Sequence, residues 1–353
     1  MNDVAQVERE RRDSAEPAFE RRRPVKLIIQ IPCFNEEESL PETLSQLPRH
    51  LAGIDIVEWL VIDDGSTDHT VEVARANGVD HIWELPGHFG LARAFMAGLQ
   101  RAVELDADII VNTDADNQYD AADIPALIAP LLSRRAELVV GARPIATIES
   151  FSPVKRLLQR IGSGVVRFVS GTKVADVPSG FRAFAREAAL RLNVFDPYTY
   201  TLETVIEAGL SGIVIVSVPI SVNHHTRPSR LVRSNLHYIG RAIRSILRSF
   251  FIYKPGRTFF LLGAVPGVAG LVLAVRWIVL SVLNIGGTHV PSLVAAAVLV
   301  MLAALMWVVA LLGELFAINR RLLQDIQYTL RRNGADARRL AQNLLGDRVD
   351  DRR

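Results

Sequence analysis

From Val25 onward, apolar residues fall into short runs separated by segments with helical spacing. Val25 to Ile31 is long enough for one strand, and in Glu38 to Leu47 the residues Leu40, Leu44 and Leu47 share a helical face. The pattern then repeats. Ile56 to Ile62 predicts a strand, and Thr67 to Asn77 a helix that stops at Gly78. Val79 to Trp83 is a short strand, Gly90 to Glu104 a helix, and Asp108 to Asn112 a further main strand. Strands alternating with helices predict an α/β fold: a mostly parallel sheet with helices on both faces. Ligands of such sheets bind beyond the carboxyl ends of the strands.

Towards the C-terminus the period disappears. Thr258 to Leu283 is apolar apart from Arg276, and Leu293 to Gly313 is a second such stretch. Each has the roughly 20 residues needed to cross a bilayer, and both lie too far along the chain for a signal peptide. The eight cations Arg227, Arg230, Arg233, Arg241, Arg244, Arg248, Lys254 and Arg257 precede the first stretch with no acid among them. Arg320, Arg321, Arg331 and Arg332 follow the second, whereas Asn284 to Pro291 between them has no Lys or Arg. The positive-inside rule therefore expects a multi-pass cell-membrane protein with both flanks cytoplasmic. Arg276 lies roughly 27 Å along a helix from Thr258, where it can snorkel to the far interface, and it is given no catalytic role. In the stretch Val232 to Tyr253, Ile239, Ile243, Ile246 and Phe250 line one helical side while Arg241, Arg244 and Arg248 line another. Such a basic amphipathic helix is expected on the membrane surface, although packing on its own domain is the alternative.

The 353 residues, 49% of them hydrophobic, allow about two domains or one domain with appendages. The expected plan is a disordered tail at 1–24, rich in Arg and Glu, then an α/β domain at 25–230. An interfacial segment at 231–257, two membrane helices within 258–318 and a cytoplasmic tail at 319–353 complete it. The net charge of +2 adds little, because the positive charge is local. Cys33 is the only cysteine, which excludes intramolecular disulfides, and a small buried thiol is the expected state.

Candidate chemistry lies where the strands end. Ile109 to Asn112 runs into Thr113-Asp114-Ala115-Asp116-Asn117-Gln118. Residues two apart on an extended chain share a side, so Asp114, Asp116 and Gln118 can offer hard oxygen ligands to Mg²⁺ or Mn²⁺. An acidic turn capping the strand is the other reading. The first strand ends in Pro32-Cys33-Phe34-Asn35-Glu36-Glu37 and the second in Asp63-Asp64-Gly65-Ser66-Thr67-Asp68. Three acidic loops at one edge suit a nucleotide-sugar and metal site, while Ser66, Asp68 and Glu36 to Glu38 equally suit helix capping. Neither a Gly-x-Gly-x-x-Gly nor a Walker loop is present, which counts against dinucleotide dehydrogenases and ATPases.

Ile31-Pro32-Cys33-Phe34-Asn35-Glu36, Ile62-Asp63-Asp64-Gly65-Ser66-Thr67-Asp68, Asp114-Ala115-Asp116-Asn117-Gln118 and Pro178-Ser179-Gly180-Phe181-Arg182 occur in that order. Together, over about Val25 to Gly256, they resemble family 2 glycosyltransferases of the GT-A fold. Within that family they are most similar to the polyprenyl-phosphate sugar synthase group, which includes dolichol-phosphate mannose synthase. The resemblance implies a GT-A domain followed by two membrane helices. It assigns Pro32, Phe34, Glu36, Ile62 and Asp64 to the nucleotide pocket, with Asp114 and Ala115 alongside. It implies that Asp114 and Asp116 hold the diphosphate through the metal, with Gln118 as third ligand. Asp116, Asp114 and Arg143 are the implied catalytic residues, and Arg143, Arg227 and Arg230 the acceptor-phosphate residues. The loop from Thr226 to Leu231 is shorter than usual in the family and ends in Ser-Arg rather than Ser-Lys. Arg182 reads equally as a structural arginine.

The implied partners are a UDP- or GDP-linked sugar, undecaprenyl or dolichyl phosphate, and membrane lipids; nucleic acid is not expected, and a homo-oligomer is left open. The implied reaction inverts the anomeric centre. A lipid phosphate with a second pKa of about 6 is largely ionised at neutral pH, so the nucleophile needs positioning by cations rather than a strong base. Asp176 is a candidate orienting acid or a turn residue before Pro178. His224 and His225 read as loop residues. Two alternatives compete with this reading. A processive polysaccharide synthase of the same family resembles it, but the Gln-x-x-Arg-Trp motif of those enzymes is absent. A catalytically silent membrane scaffold is disfavoured by the intact Asp114, Asp116 and Gln118.

Overall fold

The computed structural model describes residues 23–144, 162–164, 166–168, 170–193, 200–223, 251, 253–283 and 290–350. Arg227 and Arg230, His224 and His225, residues 1–22, the link 284–289 and nearly all of the stretch from Val232 to Tyr253 lie outside them.

Seven strands form one sheet: β1 (Lys26–Cys33), β2 (Ile56–Asp63), β3 (His81–Glu84), β4 (Ile109–Asn112), β5 (Leu138–Ala142), β6 (Arg182–Ala185) and β7 (Ile215–Pro219). Their order is β3-β2-β1-β4-β6-β5-β7. All neighbours are parallel except β6, which runs antiparallel to both β4 and β5. The helices of this domain are α1 (Leu40–Gln46), α2 (Thr70–Ala76), α3 (Leu91–Glu104), α4 (Ile124–Leu132), α5 (Arg186–Arg191) and α6 (Tyr200–Leu210). The expected strands and helices of the first half are all present, with ends shifted by at most three residues.

The central strands are apolar on both sides because both faces of the sheet are covered. Ile28, Leu60, Ile62 and Ile110 pack with Phe95 and Leu99 of α3. Leu27, Ile29, Val61 and Val111 point the other way, towards Leu40 and Leu44 of α1 and Ile124 and Leu127 of α4. The shared helical face expected for Leu40, Leu44 and Leu47 is therefore a core face. A buried polar pair, Gln30 of β1 and Asn112 of β4, interrupts this arrangement. Gln30, wholly buried in β1, donates from Nε2 to Asn112 Oδ1 at 2.8 Å, and Asn112 Nδ2 donates to the Gly180 carbonyl at 2.8 Å. The Gln30 side chain fits because α3 carries Gly98 above it; a Cβ there would lie 2.5 Å from Gln30 Oε1.

Two further helices follow: α7 (Pro255–Val282) and α8 (Val290–Asp350). Both are long and apolar enough to cross a membrane, and only 11% and 17% of their most apolar windows are buried within the protein. A hairpin belonging to a soluble core would be largely buried. They meet along small residues: Gly263 and Gly270 of α7 approach Met306, Trp307, Leu299 and Val300 of α8, where Ala296, Ala303 and Ala310 are buried. Close backbone approach through small residues is how helices pack where lipid supplies no hydrophobic drive.

Beyond the apolar part, α8 continues unbroken and packs on the sheet domain. Tyr328 Oη donates to Glu187 at 3.3 Å, Arg331 to the Leu192 carbonyl at 3.2 Å, and Arg339 pairs with Asp108 at 2.9 Å. The start of α7 is tied to the same domain, with Tyr253 Oη donating to Glu203 at 2.8 Å. Both ends of the hairpin therefore lie on the side of the sheet domain. The hydropathy pattern marks 319–353 only as a polar tail and gives no hint of this docking.

Gly98→Ala should destabilise the protein by about 1–3 kcal/mol, because the added methyl displaces the Gln30 amide and Ile62 in a close-packed interior. The shift is measurable by thermal unfolding in detergent, and a wild-type midpoint would contradict the account.

Candidate active site

Parallel strands bring β1, β2 and β4 to the same edge, and antiparallel β6 returns the chain to it. Asn112 at the end of β4 faces Arg182 at the start of β6, and Val140 near the end of β5 faces Arg182 from the other side. Asp114, Arg143, Asp176 and the loop from Ser179 to Phe181 consequently crowd one edge.

The first two acidic loops are stitched to one another. The backbone N–H groups of Asn35, Glu36 and Glu37 donate to Ser66 Oγ (2.9 Å), Thr70 Oγ1 (2.9 Å) and Asp68 (3.2 Å). Asp63 accepts from the N–H groups of Gly65 and Ser66. Asp64 is buried and accepts from the N–H groups of Phe89 (2.9 Å) and Gly90 (2.8 Å), with His88 Nδ1 at 2.8 Å. The imidazole of His88 stacks on Phe34 at 3.9 Å between ring centroids. Pro32 and Ile62 are register partners on β1 and β2, with Ile62 fully buried. Glu36 accepts from the Ser39 hydroxyl at 2.5 Å. Asp63 and Asp68 thus shape the loops, while Pro32, Phe34, Glu36, Ile62 and Asp64 border one corner of the edge. Cys33 is buried, and burial pushes its thiol well above the usual range, with Glu36 and Asp63 adding to the effect; it is no nucleophile.

The third loop is the most strongly charged. Burial by surrounding protein, and then repulsion from Asp116, push the Asp114 carboxyl up to about 7, against the opposing pull of Arg143 and Arg182. Its surface is only partly covered, so the group is enclosed at the bottom of an accessible recess. Asp116 accepts from the Gln118 backbone N–H at 3.2 Å and from Gln118 Nε2 at 2.5 Å. Ala115 is buried, and its carbonyl accepts from Thr43 Oγ1 at 2.8 Å. A Cβ on Gly180 would stand 3.0 Å from both Asp114 oxygens and from Tyr200 Oη, so the missing side chain leaves room against that carboxylate. The loop is held from the other side by Tyr119, whose Oη accepts from the Gly180 N–H at 2.9 Å and whose ring stacks on Phe181 at 5.1 Å.

Two arginines flank this recess. Arg143 makes a two-pronged pair with buried Asp176, Nε to Oδ2 at 2.7 Å and Nη2 to Oδ1 at 3.2 Å. Burial works against its charge, but the Asp176 bonds outweigh that and raise its pKa. Arg182 is wholly buried and donates to the carbonyls of Ser179, Val177 and Thr201 at 2.7–2.8 Å. Its Nη1 is enclosed without a hydrogen bond among the described residues, and burial lowers its pKa to about 10. It is charged at neutral pH and balanced through space by Asp114 and Asp176. Asn223, the last described residue before Arg227 and Arg230, donates from Nδ2 to the Asn117 carbonyl at 3.1 Å.

Two carboxylates beside an open recess suit a hard divalent cation, and Gly180 leaves space for one at Asp114. Among the described residues no group of three or more His, Cys, Asp or Glu is assembled, so further oxygens would come from Gln118, water or a diphosphate. Gln118 would have to turn its amide, because Nε2 now faces Asp116. The sequence reading passed over His88, Phe89, Tyr119, Tyr200, Gln30 and Asn112. The Gly87-His88-Phe89-Gly90 segment after β3 is polar punctuation of the same kind as the other three loops and could have been found that way.

Residues 28–192 match the family model Glycosyl transferase family 2. A UDP-N-acetylglucosamine–dolichyl-phosphate N-acetylglucosaminyltransferase of Methanococcus voltae is 30% identical over 183 residues, which cover 46% of this chain and 71% of that protein. The chain belongs to glycosyl transferase family 2. An undecaprenyl-phosphate mannosyltransferase of Micrococcus luteus is 28% identical over 207 residues, covering 56% of this chain and 83% of that one. Among solved structures, a glucosyl-3-phosphoglycerate synthase from Mycobacterium tuberculosis in complex with phosphoglyceric acid superposes with a TM-score of 0.51 at 21% identity. That match covers 65% of this chain and 79% of that one, and it is a likeness of fold. The glycosyltransferase domain is thus a GT-A sheet, and the expected fold class is borne out.

Asp176→Ala should cost about 3–5 kcal/mol, because it leaves Arg143 charged and largely enclosed without its partner. The double variant with Arg143→Met should recover much of that loss in thermal unfolding. Additive losses would show that the pair is not a unit.

Proposed function

We propose that this family 2 glycosyltransferase moves a hexose from a UDP- or GDP-linked sugar to the phosphate of a membrane polyprenol, such as undecaprenyl or dolichyl phosphate, with inversion. The observation that carries the reading is α6. Its first turn borders the recess, where the Thr201 carbonyl accepts from Arg182 at 2.8 Å. Two and six residues later, Glu203 and Glu207 accept from Tyr253 and Gln324, which belong to the approaches of the apolar hairpin, both at 2.8 Å. The site and the proposed membrane surface are therefore joined by one helix of 11 residues. The two relatives support the same acceptor class, since their names share a polyprenyl phosphate and differ in the sugar. The positive flanks favour a cytoplasmic catalytic domain.

In this reading Pro32, Phe34, Glu36 and Asp64 hold the nucleoside, Ile62 supports them from the core without surface of its own, and Asp114 and Ala115 lie next to the diphosphate. Asp114 and Asp116, with Gln118 after its amide turns, would hold Mg²⁺ or Mn²⁺. When bound, such an ion offsets negative charge on the departing diphosphate. The remaining work falls to the chain. Arg143, immobilised by Asp176, presents a fixed positive charge beside Asp114, and Arg227 and Arg230 follow Asn223 within a few residues along the chain. These guanidinium groups orient the lipid phosphate so that its oxygen attacks the anomeric carbon as the bond to the diphosphate breaks. No proton need be removed from a nucleophile that is already ionised.

Two outcomes test this. Membranes containing the protein should transfer label from UDP- or GDP-sugars to undecaprenyl phosphate, and Asp116→Ala should lower that transfer by at least about a hundredfold. Undiminished labelling by the variant, or in excess chelator, would reject the metal role. Because Asp114 takes up a proton near pH 7, a cation must displace it at lower pH. Mn²⁺ affinity should therefore fall about tenfold per unit below pH 7 and level off above it, and Asp114→Asn should flatten the profile. A calorimetric titration across pH 6 to 8 that shows no slope would refute this coupling.

A further inference from the structure

Tyr200 opens α6 with its ring packed inward, 6% exposed and 4.7 Å from the Phe95 ring between centroids. The backbone around it is fixed. Thr204 Oγ1 donates to its carbonyl at 2.5 Å, and the next carbonyl, of Thr201, accepts from Arg182 at 2.8 Å. A buried phenol ordinarily finds a hydrogen-bond partner for its hydroxyl. Tyr200 Oη has none among the described residues; burial and through-space charge alone act on it. Burial, and then the Asp114 carboxylate, push its pKa well above the usual tyrosine range, so the hydroxyl keeps its proton.

That hydroxyl borders the space left by Gly180. The position that a Cβ of Gly180 would take is 3.0 Å from Tyr200 Oη and from both Asp114 oxygens. A fixed donor thus stands across a small gap from an acceptor. A hydroxyl group entering the gap can accept from the phenol and donate to the carboxylate, satisfying both. A phosphate oxygen brings no proton for Asp114 and meets it with like charge. Asp114 has two oxygens, so one can hold a cation while the other accepts from the hydroxyl.

Sheet order indicates whose hydroxyl this is. β2 and β1 lead into Asp64 and Phe34, β4 leads into Asp114, and β6 starts just after Gly180. Their order in the sheet is β2-β1-β4-β6. The nucleoside corner, the carboxylate beside the diphosphate and Tyr200 therefore follow one another along the edge. In a nucleotide sugar, the group beyond the diphosphate is the hexose.

We propose that Tyr200 is a specificity-determining residue of the transfer: its hydroxyl donates to one hydroxyl of the hexose, which in turn donates to Asp114. The inference rests on the reading of the chain as a nucleotide-sugar transferase. A site built around a substrate hydroxyl rejects the analogue that lacks it, because its own polar groups are then left unpaired.

The test uses the full-length protein in nanodiscs with undecaprenyl phosphate. Transfer is measured from a panel of UDP- and GDP-linked hexoses, among them UDP-glucose, UDP-N-acetylglucosamine and GDP-mannose. It is then measured from analogues of the fastest donor that each lack one hexose hydroxyl. Tyr200→Phe keeps the ring and removes only the hydroxyl. It should lower kcat/KM with the complete donor about tenfold. The affinity for the free nucleoside diphosphate and the unfolding midpoint should not change, since the hydroxyl has no partner in the protein. One analogue should be about tenfold slower than the complete donor with the wild type, and no slower with the variant than with the wild type. A wild type indifferent to every missing hydroxyl, or losses that simply add in the variant, overturns the inference and leaves the transferase standing. So does a lowered unfolding midpoint, which makes the hydroxyl structural. Wild-type protein that transfers from no UDP- or GDP-linked hexose overturns both.

Discussion

The buried hydrogen-bonded line from Gln30 through Asn112 to Gly180 is the constraint on which the site depends. It crosses β1 and β4 in the interior of the sheet, where Gln30 and Asn112 have no exposed surface. A buried amide left unpaired costs about 1–3 kcal/mol, so each link strongly favours the next. The last link fixes the carbonyl of Gly180, and Tyr119 fixes its N–H. The loop before β6 is thereby pinned against Asp114 at both backbone groups of one glycine. The same loop sets Arg182 among three carbonyl groups, where its charge acts on Asp114 and Asp176 without touching solvent.

The balance of charge follows from that placement. Two carboxylates one residue apart would repel, and burial penalises Asp114 further, yet Arg143 and Arg182 limit the rise to about 7. The recess is therefore poised to gain or lose positive charge near neutrality. On its far side α6 carries the buried acids Glu203 and Glu207, and burial lifts Glu207 to about 6 despite Arg320. Its partners come from α8 and from the residues leading into α7, so the catalytic domain and the hairpin share buried polar contacts rather than a loose tether.

Much of this was legible in the residues. The alternation of strands and helices in the first half, the two apolar helices and the buried Cys33 all follow from local pattern. Strands β5, β6 and β7 were less so, because four or five residues such as Arg182 to Ala185 carry no period of their own. The reversal at β6 is dictated by what lies opposite, not by its composition. Of the candidate residues, Asp114, Asp116, Gln118 and Arg143 stand at one edge, whereas Arg227 and Arg230 lie outside the described residues. Asp64 shows why a motif alone underdetermines a role: its carboxylate is engaged by the loop after β3, and nothing in Asp63-Asp64-Gly65 announces His88. Arg182, ambiguous in the sequence, is deeply structural, yet electrically it belongs to the recess.

The length of α8 has a mechanical corollary. From Val290 to Asp350 it is one rod of about 90 Å, and Tyr328, Arg331 and Arg339 must all face the sheet domain from it. Each residue advances a helix by about 100°, so the angular phase between the apolar shaft and the docking stripe is written into the number of residues separating them. The distance and heading of the sheet domain relative to the apolar shaft are thus set by counting along a single helix.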